Sequence, residues 1–491
     1  MSERPARGDS PRGNALGTVP IERSAASNED LHRGLSPLPK PPRILIASAA
    51  GYTNLGDDAI ADALTARLKR ELPQARLSII AGPGFAPGAR SRGIARLRWS
   101  DIEQIAAAVR DSDAVVVGGG GVLYDSTFVA HDVDIFRMPS QWPARVARLA
   151  ILARIARRPF MLYSVGVGAL FSPAARDLAL FVAQTARCIS VRDAYSQQAL
   201  IDCGTAQAAV HLAADPAIEL SPPTEDQARE EIARRGLSGL PRPWIALNLR
   251  PWFRFQGAPL ASRPKMDLLT EAVREAAQRV ARETGGSIIG LPFQAGRDAD
   301  RPLLCRALDR LLERKRAAVI GLSSPRVAQA LISQADAAIG MRLHLHVFAA
   351  RCGIPSVALA YDPKVACFMS DLGMEGFSLP ADGISADAIA QAATQAIARR
   401  AELQDRIRAG CAALAQRGDV SAALLRHLLH ETEPPVAAPR LDAAQAGWPA
   451  ERAALLHYLS VLEHGGAGRR QHGADLVRWL TELMRRFTGR G

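Results

Sequence analysis

Short apolar runs alternate with helical patterns through most of this chain. Runs such as residues 43–47, 114–117 and 160–165 are too short for helices and are rich in branched or large apolar residues, which is typical of buried strands. Strands that alternate with helices in this way favour parallel sheets covered by helices on both faces. The alternation therefore predicts an α/β fold.

The alternation stops once and then resumes. Residues 219–243 hold a cluster of prolines and glycines around one short charged helical pattern, which is typical of a boundary between domains. We therefore predict two Rossmann-like domains that face each other across a cleft, a GT-B-like arrangement. The first covers residues 42–220, the linker 221–243 and the second domain 244–432.

The two ends of the chain differ from its centre. Residues 1–41 are rich in Pro, Arg, Ser, Gly and Asn and lack an apolar period, so we predict a disordered leader. Residues 433–491 begin with a Pro/Ala-rich linker and continue as an amphipathic helical tail with Arg near its apolar stripe. Such a tail suits peripheral contact with a membrane surface, and equally packing on the protein or on a partner.

The net charge of +12 raises the question of nucleic-acid binding. Arg is scattered through helical segments and aromatic residues make up only 5% of the chain, so there is little surface for stacking bases and we predict no nucleic-acid partner. No apolar run approaches about 20 residues, and the N-terminus lacks the apolar region of a secretory signal. We expect a cytoplasmic protein, with the inner face of the membrane as an alternative location.

The six cysteines give no sign of a metal site or a disulfide framework. They are widely spread and none forms a C-x-x-C pair. We therefore predict no metal and no cofactor.

The stretch from Gly340 to Phe348 carries the most specific chemistry. It lies between two strand-like runs and opens a helix with Arg342 and His344. The N–H groups at the start of a helix favour anions, a guanidinium binds carboxylate or phosphate through two hydrogen bonds, and an imidazole transfers protons near neutral pH. The stretch therefore predicts an anion site. His346 lies two positions from His344, on nearly the opposite helix face, and is predicted to be buried.

A first glycine loop, residues 51–58, joins the first strand to the first helix. Its spacing is not G-x-G-x-x-G, and Asp57 and Asp58 would repel a phosphate at the helix start. The loop either caps the helix or binds a hydroxyl-rich sugar or a facing loop. Its candidate acceptor-side residues are Gly51, Asn54 and Asp57.

A second glycine loop, residues 118–121, follows a fully apolar strand. Gly119, Gly120 and Gly121 allow a close approach of backbone and ligand beyond the strand end, where open α/β sheets bind ligands. Asp125 follows, where a carboxylate would accept a proton from a substrate hydroxyl or, alternatively, cap a turn.

Three further cations follow predicted strands. Arg192 and Arg250 stand at strand ends and Lys364 follows the strand at residues 356–360. Each either points into the cleft or pairs with a neighbouring carboxylate.

This ordered series resembles the polysaccharide pyruvyl transferase family. It consists of G-Y-x-N-x-G-D at 51–57, G-G-G-G-x-x-x-D at 118–125, S-V-R-D at 190–193, D-P at 215–216, M-R-L-H at 341–344 and Y-D-P-K-V at 361–365. The resemblance covers about residues 43–375.

The resemblance implies that the chain transfers pyruvate from phosphoenolpyruvate to two hydroxyls of a glycan sugar. The product would be a pyruvate ketal with release of phosphate, in the synthesis of cell-surface polysaccharide. By motif matching, Arg342 and His344 would serve the donor and Asp125 the acceptor, while the choice between Arg192 and Arg250 as a second donor contact stays open. Phosphoenolpyruvate would be a co-substrate, and the acceptor would be a glycan or lipid-linked oligosaccharide.

Two other functions remain compatible with the sequence. A GT-B glycosyltransferase that uses a nucleotide sugar would share the architecture and the glycine loops. A non-enzymatic assembly protein that binds polyanions or membranes would function through its basic tails, and Arg342 and His344 would then be structural.

Overall fold

The computed structural model of the chain describes residues 38, 40–85, 93–124, 142–171, 173–251, 263–296 and 299–430. Asp125, nearly all of the predicted leader and the tail after residue 430 lie outside these ranges. No helix within them is long and apolar enough to cross a bilayer.

The first sheet is parallel throughout and runs in the order β3-β2-β1-β4-β6-β7-β8, with β5 paired to β6. Its central strands are apolar on both faces because helices cover both sides. The strands are β1 (Arg43–Ala47), β2 (Arg76–Ala81), β3 (Ala95–Arg98), β4 (Ala114–Gly118), β5 (Gly121–Leu123), β6 (Phe160–Val167), β7 (Cys188–Val191) and β8 (Val210–Leu212).

Five of the described helices alternate with the strands of this sheet along the chain. Those that follow β1, β3 and β7 begin with side-chain caps from Asn54, Asp101 and Asp193, which satisfy backbone N–H groups of the first turn. The helices are α1 (Leu55–Glu71), α2 (Ile102–Asp111), α3 (Trp142–Ile155), α4 (Pro173–Thr185) and α5 (Ala194–Asp202).

The second sheet is also parallel and has the order β11-β10-β9-β12-β13-β14. Its strands are β9 (Trp244–Asn248), β10 (Ser287–Gly290), β11 (Ala317–Val319), β12 (Ala337–Gly340), β13 (Ser356–Ala360) and β14 (Ser378–Pro380). Between the sheets lies α6 (Glu225–Arg234), and the second half continues with α7 (Arg263–Thr284), α8 (Arg301–Glu313), α9 (Pro325–Ser333), α10 (Leu343–Arg351), α11 (Pro363–Asp371) and α12 (Ala386–Ala398). The two parallel sheets confirm the predicted fold class.

The last described helix, α13 (Arg400–His430), returns to the first sheet. Leu424, Leu425 and Leu428 join the core formed by α1 and one face of that sheet. Ser421 lies between two strands, with its Oγ 2.7 Å from Ser190 Oγ and 2.8 Å from Ser164 Oγ. The helix therefore ties both halves of the molecule together.

The carboxyl ends of the two sheets face each other. The strand order reverses direction between β1 and β4 in the first sheet and between β9 and β12 in the second, the position where open α/β sheets bind ligands. The loop after β1 touches the loop after β10: Leu55 N donates to Phe293 O at 3.0 Å and Ala295 N donates to Thr53 O at 3.2 Å. The fold thus brings the described candidate residues of both halves to one cleft.

Candidate active site

Arg342 is the N-cap residue of α10 and is held by a buried carboxylate. Its Nε and Nη2 each donate to Asp300 at 2.7 Å, in a two-pronged ion pair. Asp300 is fully buried and also accepts the N–H groups of Phe293 and Gln294. The pair fixes the guanidinium plane and leaves Nη1 without a hydrogen bond to any described residue.

The buried start of α10 has a second unusual property. The first N–H groups of a helix lack partners within the helix and are usually capped by a side chain. Arg342 supplies no such cap, whereas Asn54, Asp193 and Asp362 cap α1, α5 and α11. This end of α10 is therefore suited to an anion.

His344 crosses from the second half of the molecule to the first. Its ring packs on Gly56 at the start of α1, where a Cβ atom would lie 2.1 Å from Nδ1. Its Nε2 is buried without a hydrogen bond and lies 3.5 Å from Asp215 Oδ2. That distance is too long for a good hydrogen bond but short enough for attraction between charges.

His346 is buried, as its position on the helix predicted. Its Nε2 lies 3.0 Å from Gly340 O and its Nδ1 lies 3.0 Å from Ser356 Oγ. Because a carbonyl oxygen only accepts, Nε2 carries the proton of the neutral ring. Burial lowers the pKa of His346 to about 4, so the ring stays neutral near physiological pH.

Arg192 lies at the end of β7 between two carboxylates. Its Nη1 donates to Asp215 Oδ2 at 2.9 Å, and its Nε donates to Asp193 Oδ2 at 3.3 Å. The guanidinium lies against Gly166, where a Cβ would come within 2.7 Å of Nη2. Arg192 thus lies at the cleft and is also paired with carboxylates. The two alternatives from the sequence, pointing into the cleft and pairing with a neighbouring carboxylate, are both realised.

Arg250 and Lys364 approach one phenol. Arg250 Nη1 donates to Tyr361 Oη at 2.6 Å, while Lys364 Nζ lies 5.7 Å from the centre of the Tyr361 ring and donates to Asp362 at 2.8 Å. Burial alone would raise the pKa of Tyr361, but the two cations outweigh burial and lower it. The structure therefore brings Arg192, Arg250 and Lys364 to the cleft without choosing between them.

The loop before α1 is built around its aspartates. Asn54 Oδ1 accepts the N–H of Gly56 at 3.0 Å and Nδ2 donates to Asp57 at 2.8 Å, while Asp58 accepts the N–H of Gly51 at 2.7 Å. Burial raises the pKa of Asp58 to about 6. Capping, one of the two sequence alternatives, is therefore realised.

Asp57 lies among the cations of the site. Burial raises its pKa, against the opposing effects of His344, Arg192 and Arg342. Asp57 is therefore a stronger base than an exposed aspartate.

The glycines of both loops serve close packing within the protein. Gly51, Gly119 and Gly120 have positive φ values of 85°, 61° and 78°. A Cβ at Gly119 would lie 2.2 Å from Ile60 Cγ2, and one at Gly120 would lie 3.2 Å from Asp57 Oδ1. Gly121 begins β5. These residues let β4 and its loop press against the start of α1 and so position Asp57.

Sequence reasoning did not single out Asp215, Asp300 or Tyr361 as parts of this site. Asp215 and Tyr361 belong to the motif series, and each stands directly after a strand-like run. Asp300 had no such signal because it closes an irregular polar loop. Within the described ranges, no group of His, Cys, Asp and Glu side chains is arranged to hold a metal ion.

Comparison with known proteins identifies one family and several solved structures of the same fold. A family model described as polysaccharide pyruvyl transferase matches residues 54–363, a range that includes Asp57, Arg192, Arg250, Arg342 and His344. No curated protein matches the chain.

Solved structures of the same architecture are distant in sequence. A Listeria monocytogenes protein described as a UDP-N-acetylglucosamine 2-epimerase is 10% identical over 80% of this chain and 98% of its own, with a TM-score of 0.53. A glycosyltransferase from Rickettsia africae is 11% identical over 80% of this chain and 100% of its own, with a TM-score of 0.51. At these identities the likeness concerns the fold alone.

Proposed function

Because the chain belongs to the polysaccharide pyruvyl transferase family, as its motif series predicted, we propose that it transfers pyruvate from phosphoenolpyruvate to two hydroxyls of one glycan sugar. The products are a pyruvate ketal on the sugar and inorganic phosphate. The acceptor is a cell-surface polysaccharide or its lipid-linked precursor.

The observation that carries this proposal is the set of oriented cations at the cleft. Arg342 is held by Asp300, Arg192 by Asp215, Arg250 by Tyr361 and Lys364 by Asp362. Phosphoenolpyruvate is a small, highly charged anion, and cations fixed in advance bind it without the entropic cost of ordering long side chains. The uncapped start of α10 adds backbone N–H donors at the same place.

The reaction needs two proton transfers and one leaving group. A sugar hydroxyl adds to C2 of phosphoenolpyruvate while C3 gains a proton, so the CH₂ group becomes CH₃. The bond from C2 to the phosphate oxygen then breaks, and the second hydroxyl adds to C2. Of the two hydroxyl protons, one is balanced by the proton gained at C3 and the other leaves with the phosphate.

His344 is the proposed acid or phosphate contact on the donor side. Its Nε2 makes no hydrogen bond to a described residue and lies 3.5 Å from Asp215 Oδ2. An imidazolium at this place would donate a proton or bind the leaving phosphate.

Asp57 is the proposed base on the acceptor side. It lies among His344, Arg192 and Arg342, and its raised pKa makes its carboxylate a stronger base than an ordinary aspartate. Asp125, the base predicted from the sequence, lies outside the described residues and remains a prediction.

The proposal includes no metal and no cofactor, since the cations are protein side chains. We also propose a cytoplasmic location at or near the inner face of the membrane, where lipid-linked glycans are available. The C-terminal basic helices predicted from the sequence would make that peripheral contact.

A direct test offers the purified chain phosphoenolpyruvate or a nucleotide sugar with a panel of free and lipid-linked glycans. We expect phosphate release from phosphoenolpyruvate that depends on a glycan, with one pyruvyl group found by mass on the glycan for each phosphate. Consumption of the nucleotide sugar alone would instead support the glycosyltransferase alternative. Turnover of neither donor would favour the non-enzymatic one.

A further inference from the structure

One carboxylate joins cations from both halves of the molecule. Asp215 follows β8 of the first sheet, and its Oδ2 accepts from Arg192 Nη1 at 2.9 Å. The same oxygen lies 3.5 Å from Nε2 of His344, which belongs to the helix after β12 of the second sheet.

The surroundings keep this carboxylate charged and fixed. Its side chain is only 4% exposed, and Oδ1 accepts the N–H of Ala217 at 3.0 Å, which caps the short helical turn Pro216–Glu219. Burial would raise the pKa of Asp215, but His344 and Arg192 outweigh burial and lower it. A buried charge with one oxygen bound to the backbone has little freedom to move away from the two cations.

We propose that Asp215 is a positioning residue that links Arg192 to His344 across the cleft and holds both toward the donor. This proposal rests on the proposed function, because it assigns Asp215 a part in the binding of phosphoenolpyruvate. The link spans the two halves, because Asp215 follows β8 of the first sheet and His344 lies on the helix after β12 of the second.

Several groups surround the His344 ring besides Asp215, whose Oδ2 lies 3.5 Å from Nε2. Asp57 of α1 also faces this ring, Arg342 precedes it on the same chain segment, and the Phe348 ring packs beside it at 6.3 Å. Among the carboxylates of the described residues, Asp215 is the one that lies within 3.5 Å of both Arg192 and His344.

The molecule provides a matched control in Asp193. Its Oδ2 accepts from the same guanidinium at 3.3 Å, and its Oδ1 caps α5 through the N–H of Ser196 at 2.7 Å. Asp193 thus shares with Asp215 the burial, the bond to Arg192 and the capping bond. Unlike Asp215, it forms no ion pair with His344 in the described part of the chain. Substitution of either residue by Asn keeps an oxygen for the cap and removes the charge.

The experiment compares Asp215→Asn with Asp193→Asn in the full chain, with phosphoenolpyruvate and an accepted glycan. Asp215→Asn should lower kcat/KM by about 100-fold, mainly by raising KM for phosphoenolpyruvate, because Arg192 and His344 lose the carboxylate that holds both toward the donor. Asp193→Asn should lower kcat/KM by about tenfold or less. Equal losses in the two variants would overturn the link to His344.

Binding of phosphoenolpyruvate, measured by calorimetry, provides a second readout through a double-mutant cycle. If Asp215 acts through His344, Asp215→Asn should weaken binding less in a His344→Gln background than in the unaltered chain. Additive losses would contradict the proposal. If Asp215→Asn does not fold, Asp215→Glu replaces it in the cycle: its loss of binding should also be smaller in the His344→Gln background, and additive losses there would overturn the proposal. Absence of turnover and binding in the unaltered chain would instead refute the proposed function.

Discussion

The loops of the second sheet bring mainly cations to the cleft, whereas the loops of the first sheet bring mainly carboxyls and glycines. Arg250, Arg342, His344 and Lys364 follow β9, β12 and β13, while Asp57 and Asp215 follow β1 and β8. Arg192 is the exception, a cation of the first half that is tied to Asp215.

This difference indicates that the two halves bind different substrates. Cations that are fixed by acidic or phenolic partners suit a small anionic donor. A carboxyl with a raised pKa, packed against Gly120, suits removal of a proton from a hydroxyl. We therefore assign the donor mainly to the second half and the acceptor to the first, and the substitutions below are ordered by expected effect.

Replacement of Arg342 by Ala should have the largest effect on the donor side. The loss of a guanidinium that binds the donor anion should reduce transfer by about 1000-fold. Asp300 would be left buried without its cation, which should lower the free energy of unfolding by about 3–5 kcal/mol. Steady-state kinetics and denaturant unfolding measure the two effects.

The double variant Arg342→Ala with Asp300→Asn separates the loss of transfer from the loss of stability. Asn removes the orphaned charge and keeps an oxygen for the N–H groups of Phe293 and Gln294, so stability should be largely restored while transfer stays lost. Recovery of transfer together with stability would mean that Arg342 is structural.

Replacement of Asp57 by Asn tests the acceptor side. Loss of the proposed base should reduce kcat by about 100-fold, with little change in the affinity for phosphoenolpyruvate. Because the folded-state pKa is raised, the ionised carboxylate costs stability above that pKa, and the neutral Asn should therefore increase stability at neutral pH. A variant with full kcat would show that Asp57 is not the base, and Asp125 would be the next candidate.

His346 provides a stability counterpart to His344 on the same helix. Its folded-state pKa is lowered from 6.5 to about 4, so between these values the unfolded chain binds a proton that the folded chain excludes. The neutral His346 ring therefore contributes fully to the free energy of unfolding above pH 6.5. As the pH falls from 6.5 to about 4, the free energy of unfolding decreases by about 3 kcal/mol. Urea unfolding across this pH range should show a free energy of unfolding that rises with pH. The variant His346→Gln should reduce this dependence on pH. An unchanged dependence would mean that other groups cause it.

Replacement of Tyr361 by Phe should have the smallest effect. The ring stays between the cations, but the 2.6 Å hydrogen bond to Arg250 is lost. We expect KM for phosphoenolpyruvate to rise about two- to tenfold with KM for the glycan unchanged. A rise confined to KM for the glycan would instead indicate that Arg250 contacts the acceptor.

Local patterns predicted the elements well. The strands at residues 43–47, 188–191 and 356–360 lie where their apolar runs indicated, since buried parallel strands need continuous apolar sequence. The opposite placement of His344 and His346 also followed from helix geometry. The end of α3 at Ile155 was not predicted, and Arg157 two residues later has a positive φ of 53°, outside the right-handed helical region.

Long-range partners could not be predicted. The Arg342–Asp300 pair and the His344–Asp215 contact join residues far apart in sequence, and no periodicity fixes which loops meet. The return of α13 to the first sheet depends on the tertiary contacts of Ser421 and Leu424. The raised pKa of Asp57 likewise follows from burial in the assembled cleft.

The central claim is that the cations of the facing loops bind phosphoenolpyruvate. A crystal structure of the chain with phosphoenolpyruvate and no acceptor tests it most directly. We predict the donor between Arg192, Arg342 and His344, with an anionic oxygen on Nη1 of Arg342 and with the Arg342–Asp300 pair retained. A donor bound elsewhere, with these side chains contacting only their present protein partners, would contradict the account.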